Sequence, residues 1–283
     1  MVNQITLIDG SRSLVFPAIT SHGWYFHSLD GWYGQTGNKQ RGDERPQDHG
    51  AFRRRRALRT SRAFSFKTGY RDGSPEEVEA ATADLSSFGA DGEILIIVED
   101  ALGRTQRVVN VDIIDDQDTT RRYTGDMIVG LTADDPRRYS VASDVPWQST
   151  TPPSPGLGRT WPSVRPLVWP GGGSTGRITL TNTGKAASAP VLRLNGGSGT
   201  ALITTVETGA RIGFDRLIPV GSIVEIDTAT YTAIIDGQSD VSRWLRYREW
   251  ETIPAESSRS YQFDVTDPVG SPTLEGRVLS AWA

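Results

Sequence analysis

The chain of 283 residues contains no cysteine. That absence removes disulfides, thiol nucleophiles and thiolate metal sites together, and it suits a protein built in a reducing cytosol. Histidine is scarce as well. The three present, His22, His27 and His49, all lie near the start of the chain. No apolar run approaches the ~18 residues that a membrane-spanning helix needs, so no membrane partner is expected. The opening MVNQITLIDG lacks a basic region followed by a long apolar one, and reads as a first strand rather than a secretory signal. Positive charge is not in excess either. Thirty Lys and Arg against 34 Asp and Glu leave a formal net charge of -4, which argues against wholesale nucleic-acid binding.

What is present suits a turn-rich globular protein. The chain is 36% apolar and 23% charged, with 30 Gly and 16 Pro, and it is long enough for two domains with separate cores. Residues 177–265 carry the plainest pattern. In RITLTNTG, Ile178 and Leu180 face one way and Thr179 and Thr181 the other, before Asn182-Thr183-Gly184 breaks the strand. Leu192 and Leu194 alternate in the same way before Asn195-Gly196-Gly197. In SIVEIDTATYTAIIDG, Val224 and Ile226 lead into Asp227-Thr228-Ala229-Thr230, and Tyr231, Ala233 and Ile235 lead out. This predicts a hairpin with a four-residue connection. A last strand holds Tyr261, Phe263 and Val265. Turns recur throughout and no helical period is sustained, so the region reads as a two-sheet β-sandwich.

The first half is also mostly β. Ile5 and Leu7 mark a strand, Pro17 suggests an edge strand, and Ala63 to Phe66 reads as a strand closed by Gly69. One helix is well signalled: Ser74 as N-cap, Pro75 at the first helical position and Glu77 completing a capping box. Val78, Ala81, Leu85 and Phe88 share a face, and Gly89 stops it. EILIIVED and TQRVVNVDII follow as a hairpin joined by residues 101–104, and Met127 to Ala133 makes another strand. The proline-rich, aperiodic residues 141–176 hold the domain boundary, placed near Trp161. The expected domains are therefore 1–160 and 161–283.

Few residues suggest chemistry. Gly172-Gly173-Ser174-Thr175-Gly176 matches G-x-S-x-G, but a strand rather than a helix follows it and every histidine lies upstream, so no nucleophile elbow is expected. Gly171, Gly173 and Gly176 satisfy G-x-G-x-x-G without the helix a phosphate turn must open. Asp112, Asp115, Asp116 and Asp118 are a carboxylate cluster lacking the Gly and terminal Glu of a calcium loop, and read as an acidic solvated turn. His22 and His27 share a strand surface without a third ligand. No catalytic residue, cofactor or metal site is assigned.

Two groups stand out for binding. Residues 34–56 form a long polar loop without period, a kind usually functional or mobile. It ends in Arg53, Arg54, Arg55 and Arg56, with Arg59 and Arg62 beyond. One reading is a solvated loop entering a strand whose alternate arginines point outward. The other is contact with an acidic surface of a neighbouring subunit or with phosphate, both of which guanidinium forks onto. Trp244, Tyr247 and Trp250 are candidates for stacking on sugar rings, against the alternative that they fill a core or domain interface.

Together, NTGKAASAPVLRLNGG, VEIDTATYTAIIDG and WETIPAESSRSYQF resemble the C-terminal domain of the distal tail protein (Dit) family of long-tailed siphophages. GLTADDPRRYS, the proline-rich passage and the ending GRVLSAWA are similar to actinobacteriophage minor tail proteins. The likeness covers residues 126–283 well and the first 125 only in general layout. It implies a mainly β chain: an N-terminal antiparallel β-barrel or α+β domain with one helix, then a galectin-like β-sandwich. It further implies a structural virion protein of the baseplate, whose barrel forms a homo-hexameric ring joining the tail tube protein to the tail-tip hub protein. Such a ring is assembled in the host cytoplasm and ends at the virion tail tip, where nucleic acid only passes through the lumen. On this reading Arg53, Arg54, Arg55 and Arg56 are oligomer-interface candidates. The galectin-like fold is not itself evidence of sugar binding. The alternatives are a module binding host cell-wall carbohydrate through Trp244, Tyr247 and Trp250, and a cell-wall glycoside hydrolase with two carboxylates facing across a cleft.

Overall fold

The structure, a computed structural model, describes residues 1–39, 45, 47, 49, 58–115, 124–154 and 173–283. The chain forms two compact units, Met1–Val141 with Trp282–Ala283, and Ala142–Ala281. Both are built from antiparallel strands, as the alternation in the sequence predicts.

Unit 1 contains β1 (Val2–Asp9), β2 (Arg12–Pro17), β3 (Gly23–Asp30), β4 (Arg62–Arg71), α1 (Pro75–Ser86), β5 (Ile94–Asp100), β6 (Gly103–Asp115), β7 (Thr124–Ala133) and β8 (Arg138–Ser140). The strand order is β2-β1-β5-β6-β7-β4-β3. The sheet curls because β6 is long enough to serve both sides: residues up to Val109 pair with β5, and those from Asn110 pair with β7. The two ends of the path then meet, with the Phe16 ring of β2 lying 5.5 Å from that of Trp24 on β3. β2 is an edge strand ending in Pro17, where a missing N–H costs no ladder bond. Inside the curl, Ile5, Leu7, Phe66, Ile96, Val98 and Leu131 are fully buried.

Helix α1 starts where the capping box predicts. Glu77 N–H donates to Ser74 Oγ at 3.2 Å, and the Glu77 carboxylate accepts from Ser74 N–H at 2.8 Å. The helix buries Val78, Thr82 and Leu85, while Phe88 sits just past its end. Gly89 follows at φ +72°, where a Cβ would collide with Val111. Strand β4 runs beyond the expected stop at Gly69, which instead sits where the β4–β7 register shifts, a bulge. The β5–β6 turn is also tighter than expected: Asp100 pairs with Gly103, leaving two residues between them.

Unit 2 contains β9 (Gln148–Thr150), β10 (Arg177–Asn182), β11 (Val191–Asn195), β12 (Thr200–Thr205), β13 (Arg211–Phe214), β14 (Ile223–Asp227), β15 (Thr232–Ile235), β16 (Ser239–Asp240), β17 (Leu245–Arg246), β18 (Ser257–Thr266) and β19 (Thr273–Arg277). Five strands form one sheet, β10-β18-β12-β13-β17, and six form the other, β16-β15-β14-β11-β19-β9. The inward residues predicted from alternation, Ile178, Leu180, Leu192, Leu194, Tyr261 and Phe263, share one core. In the β14–β15 hairpin Asp227 pairs with Thr232, so the four-residue connection is 228–231. Tyr231 therefore belongs to the turn, at φ +64°, and not to the strand.

The change of unit falls at Val141/Ala142 rather than near Trp161. Residues 142–150 are not linker because β9 adds to the edge of the six-stranded sheet, with Ser149 opposite Glu275.

Candidate functional site

In unit 1 the segments 37–39 and 58–60, which flank the arginine-rich stretch, pair as a stem. Lys39 N–H donates to the Leu58 carbonyl at 2.8 Å and Thr60 N–H to the Gly37 carbonyl at 3.1 Å, around an Asn38–Arg59 bridge. Arg53, Arg54, Arg55 and Arg56 lie outside the described residues. Arg59 is described, and its guanidinium donates to the Thr36 carbonyl at 2.9 Å and to Gln35 Oε1 at 2.7 Å, so it ties the stem together.

Arg62 corrects the expectation of outward-facing arginines: it is only 4% exposed. It donates to the carbonyls of Gly31 (2.7 Å), Tyr33 (3.1 Å), Gly34 (2.5 Å) and Pro136 (3.2 Å). Arg107 on β6 is buried beside it and donates to the carbonyls of Trp32 (2.9 Å), Pro136 (3.2 Å) and Arg137 (3.2 Å). Its guanidinium also lies 4.2 Å from the Trp32 ring centre. These two side chains clamp the root of the stem to the β7–β8 connection through carbonyl oxygens. Burial, with Arg62 and Arg138 nearby, pushes the Arg107 guanidinium down to about 9, and burial lowers Arg62 as well. Strand parity carries the missed signal. Arg62 shares a face with Phe64 and Phe66, and Arg107 shares one with Val109, so both arginines point at the core.

A cavity of about 410 Å³ opens beside this clamp, lined among others by Gln35, Leu58, Arg59, Arg62, Asp134 and Arg137. Asp135 also lines it, but both its oxygens accept hydrogen bonds, from Tyr139 O–H at 2.5 Å and Arg137 N–H at 3.0 Å.

In unit 2 the three aromatic candidates do not make one stacking face. Trp244 and Trp250 pack against the core between the sheets. The guanidinium groups of Arg216 and Arg243 lie over the Trp244 ring, at 5.3 and 5.1 Å. Trp250 meets Tyr231, with centroids 5.4 Å apart. Tyr247 alone is well exposed, at 52%. It and Arg248 both take positive φ, held by Arg248 donating to the carbonyls of Leu245 (3.0 Å) and Ser242 (2.9 Å). Arg211 lies 4.2 Å over the Tyr247 ring.

The remaining motifs resolve as local structure. Ser174 Oγ donates to the Thr151 carbonyl at 2.8 Å and accepts from Gly176 N–H at 3.1 Å, and strand β10 follows directly. His22 Nδ1 lies 3.0 Å from the Asp72 carbonyl oxygen, before β3, while His27 is the extra residue at the β3 register shift. Asp112 accepts a hydrogen bond from Thr132 at 2.5 Å; Asp116 and Asp118, and the side chain of Asp115, lie outside the described residues. Among the described residues no three His, Asp or Glu come together as a metal-ligand group.

No protein-family model and no curated protein matches the chain. Solved structures match it in fold. The crystal structure of SPP1 Dit, described as a paradigm of the hub adsorption apparatus in phages infecting Gram-positive bacteria, superposes with a TM-score of 0.62 at 10% identity, over 99% of each chain. The phage P2 baseplate in its activated conformation with Ca gives 0.54 at 11% identity over 98% of each chain. The same baseplate with Sr gives 0.52 at 11% over 97% of each. Across both units, from end to end, the chain has the fold of a Dit-like phage distal tail and baseplate protein.

Proposed function

We propose that this chain is a structural distal tail protein: the hub of a phage baseplate, joining the tail tube to the host-recognition tip. The observation that carries the reading is fold likeness over 99% of both chains to SPP1 Dit, since a shared fold core alone would not align two units in the same order. On this reading unit 1 forms a homo-hexameric ring, and its stemmed loop delivers Arg53, Arg54, Arg55 and Arg56 to carboxylates of the neighbouring subunit. Unit 2, the galectin-like sandwich, lies outside the ring. The ring assembles in the host cytoplasm, docks on the tail tube protein and the tail-tip hub protein, and passes DNA through its lumen. The role is one of scaffolding, without a catalytic step.

Antibody labelling of purified virions tests the location. Gold at the tip of the tail is expected; its absence from virions, or its presence on the head alone, contradicts the reading.

One observation favours a second reading, a carbohydrate-binding module. Exposed Tyr247 borders a depression of about 170 Å³ lined also by Thr200, Thr266, Asp215 and Arg246, an aromatic beside hydroxyl and charged groups. Co-sedimentation with host cell wall that Tyr247→Ala abolishes favours it; equal co-sedimentation of both proteins, or none, removes it.

A further inference from the structure

The β13–β14 connection of unit 2 carries an apolar projection that its own core does not use. Leu217 is 59% exposed and Val220 70%, whereas Ile218 between them is fully buried. Ile218 N–H donates to the Ser198 carbonyl at 3.0 Å, which fixes the loop and holds its neighbours outward. Beside Leu217 opens a cavity of about 370 Å³, whose apolar lining includes Leu217, Pro219 and Ile235. Its rim carries Arg216 and Arg243. Both guanidinium groups rest over the Trp244 ring, and neither forms an ion pair or side-chain hydrogen bond with another described residue. The acid on the same rim, Asp240, accepts from Ser242 N–H at 2.7 Å through one oxygen. The neighbouring acid, Asp215, is paired with Arg246 at 2.8 Å.

The rim thus carries two guanidinium groups to one carboxylate, and each guanidinium rests against the Trp244 indole. A planar guanidinium held against an aromatic face keeps its N–H edges for forked bonds to a carboxylate. Below it, the apolar lining suits one large aliphatic or aromatic side chain.

We infer that this pocket docks a peptide segment of a partner protein that presents a carboxylate beside a large apolar side chain. The carboxylate bridges Arg216 and Arg243, and the apolar side chain enters between Leu217 and Ile235. Burial of an otherwise exposed Leu217 supplies affinity, while the paired arginines supply direction and salt dependence. An anionic polymer without side chains, such as a polyglycerol phosphate, meets the charge of the rim but leaves the apolar lining empty. The inference concerns unit 2 alone and does not depend on ring formation.

The test is selection of displayed random peptides on the full-length protein, with the double variant R216E/R243E as counter-target. Circular dichroism and thermal melting first establish that the variant is folded. If it is not, R216Q/R243Q serves instead. The expected result is enrichment of sequences with Asp or Glu next to Leu, Ile, Phe or Trp. The synthesised winners should bind at least tenfold more weakly to the variant and to Leu217→Ser, and more weakly at high salt. No enrichment, enriched peptides lacking carboxylates, or binding unchanged by the variants overturns the inference. So does polyglycerol phosphate binding that Leu217→Ser leaves intact while no peptide is enriched, which assigns the rim to a polyanion instead.

Discussion

The Arg193 guanidinium lies 3.9 Å from the centre of the Trp147 ring, and Arg277 lies over the same ring at 4.4 Å. Arg193 stands on β11 and Arg277 on β19, so a residue before β9 is fastened to two strands of the six-stranded sheet. Arg193 is itself oriented by Glu225, at 2.7 Å, and Arg277 by donation to the Ala142 carbonyl at 3.0 Å. This contact adds to the β9–β19 pairing in holding residues 142–150 to unit 2.

It follows that Trp147→Ala lowers the stability of unit 2 by about 2 kcal/mol, from lost packing and two lost cation–π contacts. Calorimetry is expected to show two transitions, with only the unit 2 transition moved. A shift confined to the unit 1 transition contradicts the assignment of this segment.

The capping box of α1 gives a complementary prediction for unit 1. Ser74→Ala removes the acceptor for Glu77 N–H and costs about 1 kcal/mol. The unit 1 transition is expected to fall while that of unit 2 stays in place. Equal shifts in both transitions mean that the units do not melt independently.

These two sites differ in how far the sequence discloses them. The capping box is legible because Ser74, Pro75 and Glu77 are neighbours whose bonds are made within one turn. Alternation likewise exposes Ile178, Leu180, Leu192 and Leu194, because a strand's period needs no knowledge of its partner. Trp147 gives no such signal: its meaning depends on Arg193 and Arg277, which only the folded sheet brings beside it. The Tyr231 turn shifts by one residue because a bulky side chain is a poor guess for a positive φ. The burial of Arg62, like that of Arg107, is hidden in the sequence for a different reason. Charge usually outweighs parity as a guide to exposure, and here seven carbonyl bonds receive the two buried guanidiniums. Of the three aromatic candidates, Tyr247 alone is well exposed.

Alkaline pH should probe the clamp region through Tyr139. Burial first, and the hydrogen bond to Asp135 second, push its phenol up from 10.0 to about 12. The folded state thus keeps a proton that the unfolded chain releases near pH 10. The associated stability is complete below about pH 10 and is lost as pH rises to about 12, a change of about 2–3 kcal/mol. Tyr33, also pushed up to about 12, acts in the same sense, and Arg107, held down to about 9, acts in the opposite one. Both are present in Tyr139→Phe, so the difference between the two proteins isolates Tyr139. Denaturant unfolding of unit 1 between pH 9 and pH 12 should decline less steeply in Tyr139→Phe; parallel curves contradict the assignment.

The arginine-rich loop carries the assembly prediction. Changing Arg53, Arg54, Arg55 and Arg56 together to Ser should leave circular dichroism and both melting transitions intact. Association should weaken, because a desolvated interfacial charge pair is worth about 2–5 kcal/mol when one partner is cut away, and an exposed pair less than about 1 kcal/mol. Sedimentation and tail assembly in moderate salt measure the difference. Normal yields of infectious tails from the variant make the loop a solvated tether.

The mass of the purified particle tests the hub account most directly. Light scattering with negative-stain imaging should return about six times the chain mass of 30.9 kDa and rings of sixfold symmetry. A monomer that persists at high concentration, and alongside the tail tube protein, contradicts it.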